Sequence, residues 1–416
     1  MSRAKPTKQQ LEWADMEIGV IIHYLMESYN PGFKAYKTDA VRTELSPDRF
    51  NPEKLDPEQW VRSAYELGAK YAVFVANHCT GFSLWQTKVN DYSCASMKWK
   101  DGKGDVFREF VDACKKYGIK PGVYYSTGCN GYYNINDEVR HDYFADYYQN
   151  YVKCVEQQVK ELWSEYGEMF EIWFDGGIIP KEKGGPDIFP LLKKYQPDAI
   201  AFQGPPEYPH DIRWVGNEFG FAPENCWSSW NIGEDSGGSP DGAYWHPAET
   251  DFPNRSNDAF GGGWAWKAGE EDKVFTPGHL LDCYVKSVGR NTNMLIGMAI
   301  STDGDFQDEQ QFIAFGKLLK ETFGTPITEI KNCKGNRFTL EVGKEKTVRY
   351  LTLCEDITDG HNITDFTVFA DGEKIFDGEC IGHKRIIPLG NLSAEKLEIV
   401  INKSYDEPLL NSISIY

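Results

Sequence analysis

Residues 171–177 read Glu-Ile-Trp-Phe-Asp-Gly-Gly (EIWFDGG). Three large apolar side chains lead into one carboxylate, and two glycines follow. A short apolar run bounded by Gly reads as a fully buried strand. A charge at its carboxyl end marks where the strand leaves the core, and the glycines let the chain turn there without steric cost. Two readings of Asp175 are open at this level. It is the N-cap of a following helix, or a functional carboxylate at a strand end.

The same texture recurs along the chain. Ile18–Tyr24 (IGVIIHY), Tyr71–His78 (YAVFVANH), Lys120–Ser126 (KPGVYYS), Ala199–Gly204 (AIAFQG), Asp211–Glu218 (DIRWVGNE) and Asn293–Ile300 (NMLIGMAI) all read as strands. Helix-like stretches separate them. Pro57–Gly68 and Val106–Gly118 place apolar residues at i, i+3, i+4 spacing and end in Gly. Asp142–Tyr166 reads as a longer helix, and Thr276–Gly289 opens on Thr-Pro, an N-cap followed by a first-turn proline. Alternating helices and wholly apolar strands predict a parallel sheet. Seven or eight such units over roughly 300 residues fit an α/β fold of the (β/α)8, TIM-like barrel type. A doubly wound sheet is the rival, weakened because no G-x-G-x-x-G follows the first strand.

Beyond Thr325-Pro326 the pattern changes to apolar–polar alternation, as in RFTLEVG, TVRYLTLCED and KLEIVINK, with turn residues between. This predicts a C-terminal antiparallel β-sandwich. The expected division is residues 1–325 for the barrel and 326–416 for the sandwich. Phe338, Tyr350, Phe366, Phe369 and Phe376 are spaced like core residues, so the tail is expected to brace the barrel rather than bind sugar.

Composition narrows the function. The 416 residues carry a net charge of −19, which does not suit binding to nucleic-acid phosphates. No 18-residue apolar run predicts a membrane span, and no apolar leader follows Met1, so a cytoplasmic location is expected. Ten cysteines form no C-x-x-C pair and read as buried thiols. No metal-ligand spacing is present. Aromatic content of 14% tilts toward a carbohydrate or other small-molecule site.

In a barrel, polar residues closing the carboxyl ends of strands form the active site. Here those are His23, Asn77, His78, Ser126, Asp175, Gln203 and Glu218. Two of them, Asp175 and Glu218, are carboxylates. Glycoside hydrolysis needs such a pair, one to attack or stabilise the anomeric carbon and one to protonate the leaving oxygen. The two histidines suit hydrogen bonds to sugar hydroxyls better than metal ligation.

Five motifs in order then resemble the α-L-fucosidases of glycoside hydrolase family 29, over about Trp13 to Thr325. They are GVIIHY, ANHCTGFSLWQTKVNDYS, EIWFDG, RWVGNE and the pair WHPAETD with VKSVGRNTNMLIGM. RWVGNE is similar to the branch preferring α-1,3/4 linkages. The resemblance implies a retaining double displacement on terminal α-L-fucosyl groups of oligosaccharides or glycoconjugates, with no cofactor. It implies Asp175 as nucleophile and Glu218 as acid/base, with Glu224 (in FAPENCW) the alternative. It assigns His23, His78, Trp85 and Trp173 to the sugar, together with Tyr124 or its neighbour Tyr125. Arg255 and Glu249 fall where substrate-contacting loop residues would lie. Cys79 and Thr80 depart from the family pattern, which has a second His and then an acidic residue. That leaves two alternatives, another fucose-configured sugar such as an α-L-galactoside and a sugar-binding homologue without catalysis.

Overall fold

The computed structural model describes residues 3–33, 44–136, 140–205, 207–343 and 345–416. Eight parallel strands close a barrel in chain order. They are β1 (Ile18–His23), β2 (Tyr71–Asn77), β3 (Lys120–Tyr125), β4 (Glu171–Trp173), β5 (Ile200–Phe202), β6 (Asp211–Trp214), β7 (Ala248–Phe252) and β8 (Asn293–Ala299). β8 pairs back onto β1 from Ile18 opposite Met294 to His23 opposite Ala299.

Seven of these strands coincide with the apolar runs of the sequence. β7, the eighth, has the sequence AETDF, in which two carboxylates interrupt the apolar pattern. The run read as far as Glu218 is shorter than expected. β6 ends at Trp214, and Gly216, at φ 94°, turns the chain into the loop that carries Glu218.

Strand periodicity sorts the side chains. Val20 and Ile22 of β1, Ala72 and Phe74 of β2, and Val123 and Tyr125 of β3 belong to the core facing the outer helices. Ile21, Val73, Val75, Tyr124, Trp173, Phe202, Ile212 and Leu295 form a separate cluster inside the barrel. Alternate residues point to opposite faces of a strand. Continuing each inward row past the strand's carboxyl end therefore brings His23 and Asp175 to the top of the barrel.

The described helices are α1 (Lys8–Ala14), α2 (Pro57–Leu67), α3 (Val106–Tyr117), α4 (Asp146–Glu165), α5 (Ile188–Tyr195), α6 (Pro277–Lys286) and α7 (Glu309–Phe323). Their ends follow the sequence signals. Asp56, Asp105 and Thr276 side chains cap α2, α3 and α6, and Gly68 and Gly118 close α2 and α3 in left-handed conformation. α1 packs under the barrel floor, where the Trp13 indole N–H donates to Glu171 Oε2 at 3.1 Å. Two outer positions carry no helix among the described residues. A short loop joins β5 to β6, and the link from β6 to β7 contains a hairpin of Ser229–Trp230 and Tyr244–Trp245.

The C-terminal strands form two four-stranded antiparallel sheets around one apolar core. The chain crosses to them between Phe323 and Thr328. Ile386 of this region joins the barrel's outer core, and Lys384 and Arg385 pair with Glu17 and Glu224. Among the described residues, no helix is long and apolar enough to cross a membrane.

Candidate active site

A cavity of about 550 Å³ opens at the carboxyl end of the barrel. Its walls bring together His23, His78, Tyr124, Trp173, Asp175 and Glu218 from five separate segments. Asp175 lies two residues beyond the end of β4, on the inward row that contains Trp173. The next α-helix starts only at Ile188, with Asp187 at its N-cap position, so the capping reading of Asp175 does not apply. Gly176 and Gly177 take φ of 69° and 77°, so the turn requires them. The Tyr124 hydroxyl donates to Asp175 Oδ2 at 2.8 Å, fixing one carboxylate oxygen.

The two histidines differ in charge state. Burial, then the nearby His78, lowers His23 to about 3, so its imidazole is neutral. Its Nδ1 lies 3.3 Å from the Ile21 carbonyl, which can only accept, so Nδ1 carries the proton and Nε2 remains an acceptor. His78 behaves otherwise. Burial alone would lower it, but Cys79, then Glu27 and Asp175, act to raise it. Of those neighbours, Cys79 stays a neutral thiol, because a hydrogen bond with Cys129 and burial push it well above the ordinary thiol range. The charge support therefore comes from Glu27, whose Oε1 lies 3.3 Å from His78 Nδ1, and from Asp175. His78 is an imidazolium with two N–H donors. One pocket wall accepts and the other donates, which suits vicinal sugar hydroxyls.

The aromatic walls are stacked and rigid. Trp173 lies 3.9 Å centroid to centroid from Phe202 and 5.5 Å from Tyr124. Its indole N–H donates to Glu249 Oε2 at 3.0 Å, beneath the pocket floor. Tyr125, one residue on from Tyr124, points to the outer core and donates to Gln158 at 2.6 Å.

Three pocket residues escaped the sequence reading. Glu27 follows β1 in the stretch MESY, and among the described residues its buried Oε2 has no hydrogen-bond partner. Trp264 follows Gly261, Gly262 and Gly263, all with positive φ, and this glycine run folds the indole back to 4.8 Å from His23. The Trp264 N–H donates to Glu218 Oε2 at 3.1 Å. Asp251, inward on β7, accepts from the Trp214 indole at 2.6 Å. Burial, then the Glu218 and Glu249 carboxylates, push Asp251 well above the carboxylate range. The sequence did carry one signal, the glycine run leading into two tryptophans.

Other expected residues lie elsewhere. Trp85 is fully buried outside the barrel, where its indole donates to Glu161 of α4 at 3.1 Å. It contributes to packing and does not line the pocket. Arg255 is buried in a two-point ion pair with Asp308, at 2.8 and 2.9 Å. Its guanidinium is therefore committed within the protein. Glu249 sits inside the barrel beneath Trp173, also accepting from Tyr71 at 2.6 Å. Glu224 pairs with Arg290 at 2.6 Å and with Arg385, outside the cavity, so the alternative acid/base is not placed for chemistry there. Asn77 and Ser126 serve local turns through Gly81 and Cys129.

Known sequences and structures match the chain that builds this pocket. The family profile for α-L-fucosidases matches residues 3–320. The chain belongs to the α-L-fucosidase family. It is a glycoside hydrolase of family 29. Arabidopsis thaliana α-L-fucosidase 1 is 27% identical to it, over 99% of this chain and 87% of the relative. A Bacteroides thetaiotaomicron crystal structure provisionally described as an α-L-fucosidase is 32% identical. It superposes with a TM-score of 0.91 over 100% of this chain and 99% of that one. A family 29 member from a rumen bacterium is 29% identical with a TM-score of 0.84, over 100% and 77% of the two chains.

Proposed function

We propose that this α-L-fucosidase is a retaining exo-enzyme in which Asp175 is the nucleophile and Glu218 the acid/base. The observation that carries this reading is the convergence of both carboxylates on one cavity, each oriented by a fixed donor, Tyr124 and Trp264. Asp175 attacks the anomeric carbon through an oxocarbenium-like transition state while Glu218 protonates the leaving oxygen. A water then enters, Glu218 takes its proton, and the covalent fucosyl–Asp175 ester is cleaved with net retention. His78 donates to, and His23 and Glu27 accept from, the sugar hydroxyls. The apolar share of the pocket, Ile21, Leu25 and Phe260, suits the methyl group of a 6-deoxy sugar.

Asp175→Ala is expected to abolish turnover of an aryl α-L-fucoside, with azide restoring part of it. Wild-type turnover in that variant would sink the assignment. Glu218→Ala should lose most activity on poor leaving groups and much less on activated ones. Terminal α-1,3- and α-1,4-linked fucose is the proposed substrate, on the strength of RWVGNE. Cleavage of an α-1,2-linked fucosyl trisaccharide at an equal rate would contradict that preference. An α-L-galactoside is the second reading, favoured by Cys79 at the pocket edge. Matched aryl α-L-fucoside and α-L-galactoside rates separate the two.

A further inference from the structure

A second groove lies on the flank of the barrel, where the links from β5 to β6 and from β6 to β7 carry no outer helix among the described residues. Ile212 points inward, so Asp211 and Arg213 point out toward the space a helix would fill. Arg213 is absorbed by carbonyl groups of the hairpin region, those of Trp227 and Ser236, each at 2.9 Å. Asp211 instead faces a cavity of about 510 Å³, within the range of about 300–1,000 Å³ common to small-molecule sites. None of its lining residues lines the catalytic pocket.

The lining combines two chemistries. Trp230, Tyr244 and Trp245 supply aromatic faces from the hairpin. Tyr244 is 57% exposed, an unusual placement for a ring that nothing in the fold covers. The other rings are fixed in place. Trp230 meets the His246 ring edge-on at 5.1 Å, and Trp245 stacks on His361 at 4.9 Å. The polar part is an Asp211–His246 pair, Nε2 to Oδ2 at 2.8 Å, with Glu207 on the opposite lip. Gly204 N–H donates to the other Asp211 oxygen at 2.7 Å, which orients the carboxylate.

We propose that this groove is a second carbohydrate-binding site, which seats a neutral pyranose unit of an oligosaccharide on the Tyr244 and Trp230 rings. A pyranose presents an apolar C–H face and a rim of hydroxyls. The partially positive C–H groups suit the negative face of an aromatic ring, and the hydroxyls suit a carboxylate–imidazole pair that both donates and accepts. The net charge of −19 disfavours an anionic ligand. A ring already held in place, as Trp230 is against His246, loses little freedom on binding. Such a site would hold a multivalent glycan on the enzyme between cleavage events and raise its effective concentration at the catalytic pocket. The inference does not depend on the roles proposed for Asp175 and Glu218.

The test uses the full chain with the catalytic pocket saturated by a fucose-configured iminosugar. It is titrated with N-acetyllactosamine, cellobiose and xylobiose, none of which contains fucose, and tryptophan fluorescence is followed. Saturable binding of at least one disaccharide is expected, with Kd on the order of 0.1–10 mM. Tyr244→Ala should weaken it at least tenfold while kcat/KM for an aryl α-L-fucoside stays within twofold. Trp230→Ala should do the same, and Tyr244→Trp should retain binding. No saturable binding by any of the three, or binding unaffected by Tyr244→Ala, would overturn the proposal. So would light scattering that shows a wild-type dimer lost in Tyr244→Ala, since the face would then join two copies.

Discussion

At the scale of single residues, the pocket works by contrast between neighbours. His23 and His78 are the same side chain, with ring centroids 6.1 Å apart, yet one is neutral and the other charged. Part of the difference is Glu27, which lies 3.3 Å from His78 and adds to the support from Asp175. Glu27→Gln keeps the shape and removes the charge, so His78 should lose its proton at lower pH. Removing a charge-assisted hydrogen bond costs about 1.5–3 kcal/mol, or roughly 10–100-fold in kcat/KM. The expected result is that loss for an aryl fucoside, with the alkaline limb of the pH profile moved toward neutrality. An unchanged alkaline limb would show that the His78 charge is not used. Sequence inspection found His78 from its motif but not Glu27, because a lone Glu in MESY carries no periodicity and acquires meaning only opposite His78.

At the scale of elements, strand parity decided what residue types could not. Tyr124 and Tyr125 are indistinguishable in the sequence, but β3 sends one into the barrel and the other into the helix-facing core. The same rule carries Trp173 and Asp175 to one face. β7 was illegible for the converse reason. Its inward row is Glu249 and Asp251, so a buried strand is written in charges. Trp85 and Arg255 were placed from resemblance, and their surroundings give them other tasks. Arg255 ties the loop after β7 to Asp308, the residue preceding α7. Breaking a buried pair by removing one partner costs about 3–5 kcal/mol. Arg255→Ala should therefore lower the unfolding free energy by that amount, with KM for an aryl fucoside nearly unchanged in the protein that remains folded. A large rise in KM with intact stability would return Arg255 to the substrate.

At the scale of the whole molecule, the barrel closes over a pair of carboxyl groups. Glu171 and Glu249 lie buried together below Trp173, and Trp13, Tyr71 and Trp173 donate to them. Burial pushes both up, Glu249 to about 7 and Glu171 well above its ordinary value, so the folded protein holds protons there that the unfolded chain releases near pH 4.5. Where the native state binds more protons, stability falls as pH rises. The Glu249 share is complete below about pH 4.5 and is lost as pH climbs through about 7, and the Glu171 share adds to it in the same direction. Glu249→Gln, a neutral mimic of the protonated acid, should flatten the decline in melting temperature between pH 5 and about 8. An identical slope in the variant would place the pH dependence elsewhere. The barrel-plus-sandwich plan itself was legible, because apolar strand runs and the later alternation are local signals. The hairpin that replaces a helix beside β6 was not, since its strands are two residues long.

Cys79 ends by giving the pocket a chemical reporter. Of the ten free thiols, eight are buried, and only Cys79 and Cys354 are partly accessible. Cys79 lines the catalytic cavity, whereas Cys354 lies in the C-terminal sheets. Its raised pKa makes alkylation slow at neutral pH, since only the thiolate reacts. At alkaline pH a small reagent such as iodoacetamide should enter the cavity and mark it, and an occupant of the pocket should shield it. Peptide mapping of that mark then measures occupancy in competition, for ligands that are never cleaved and carry no chromophore.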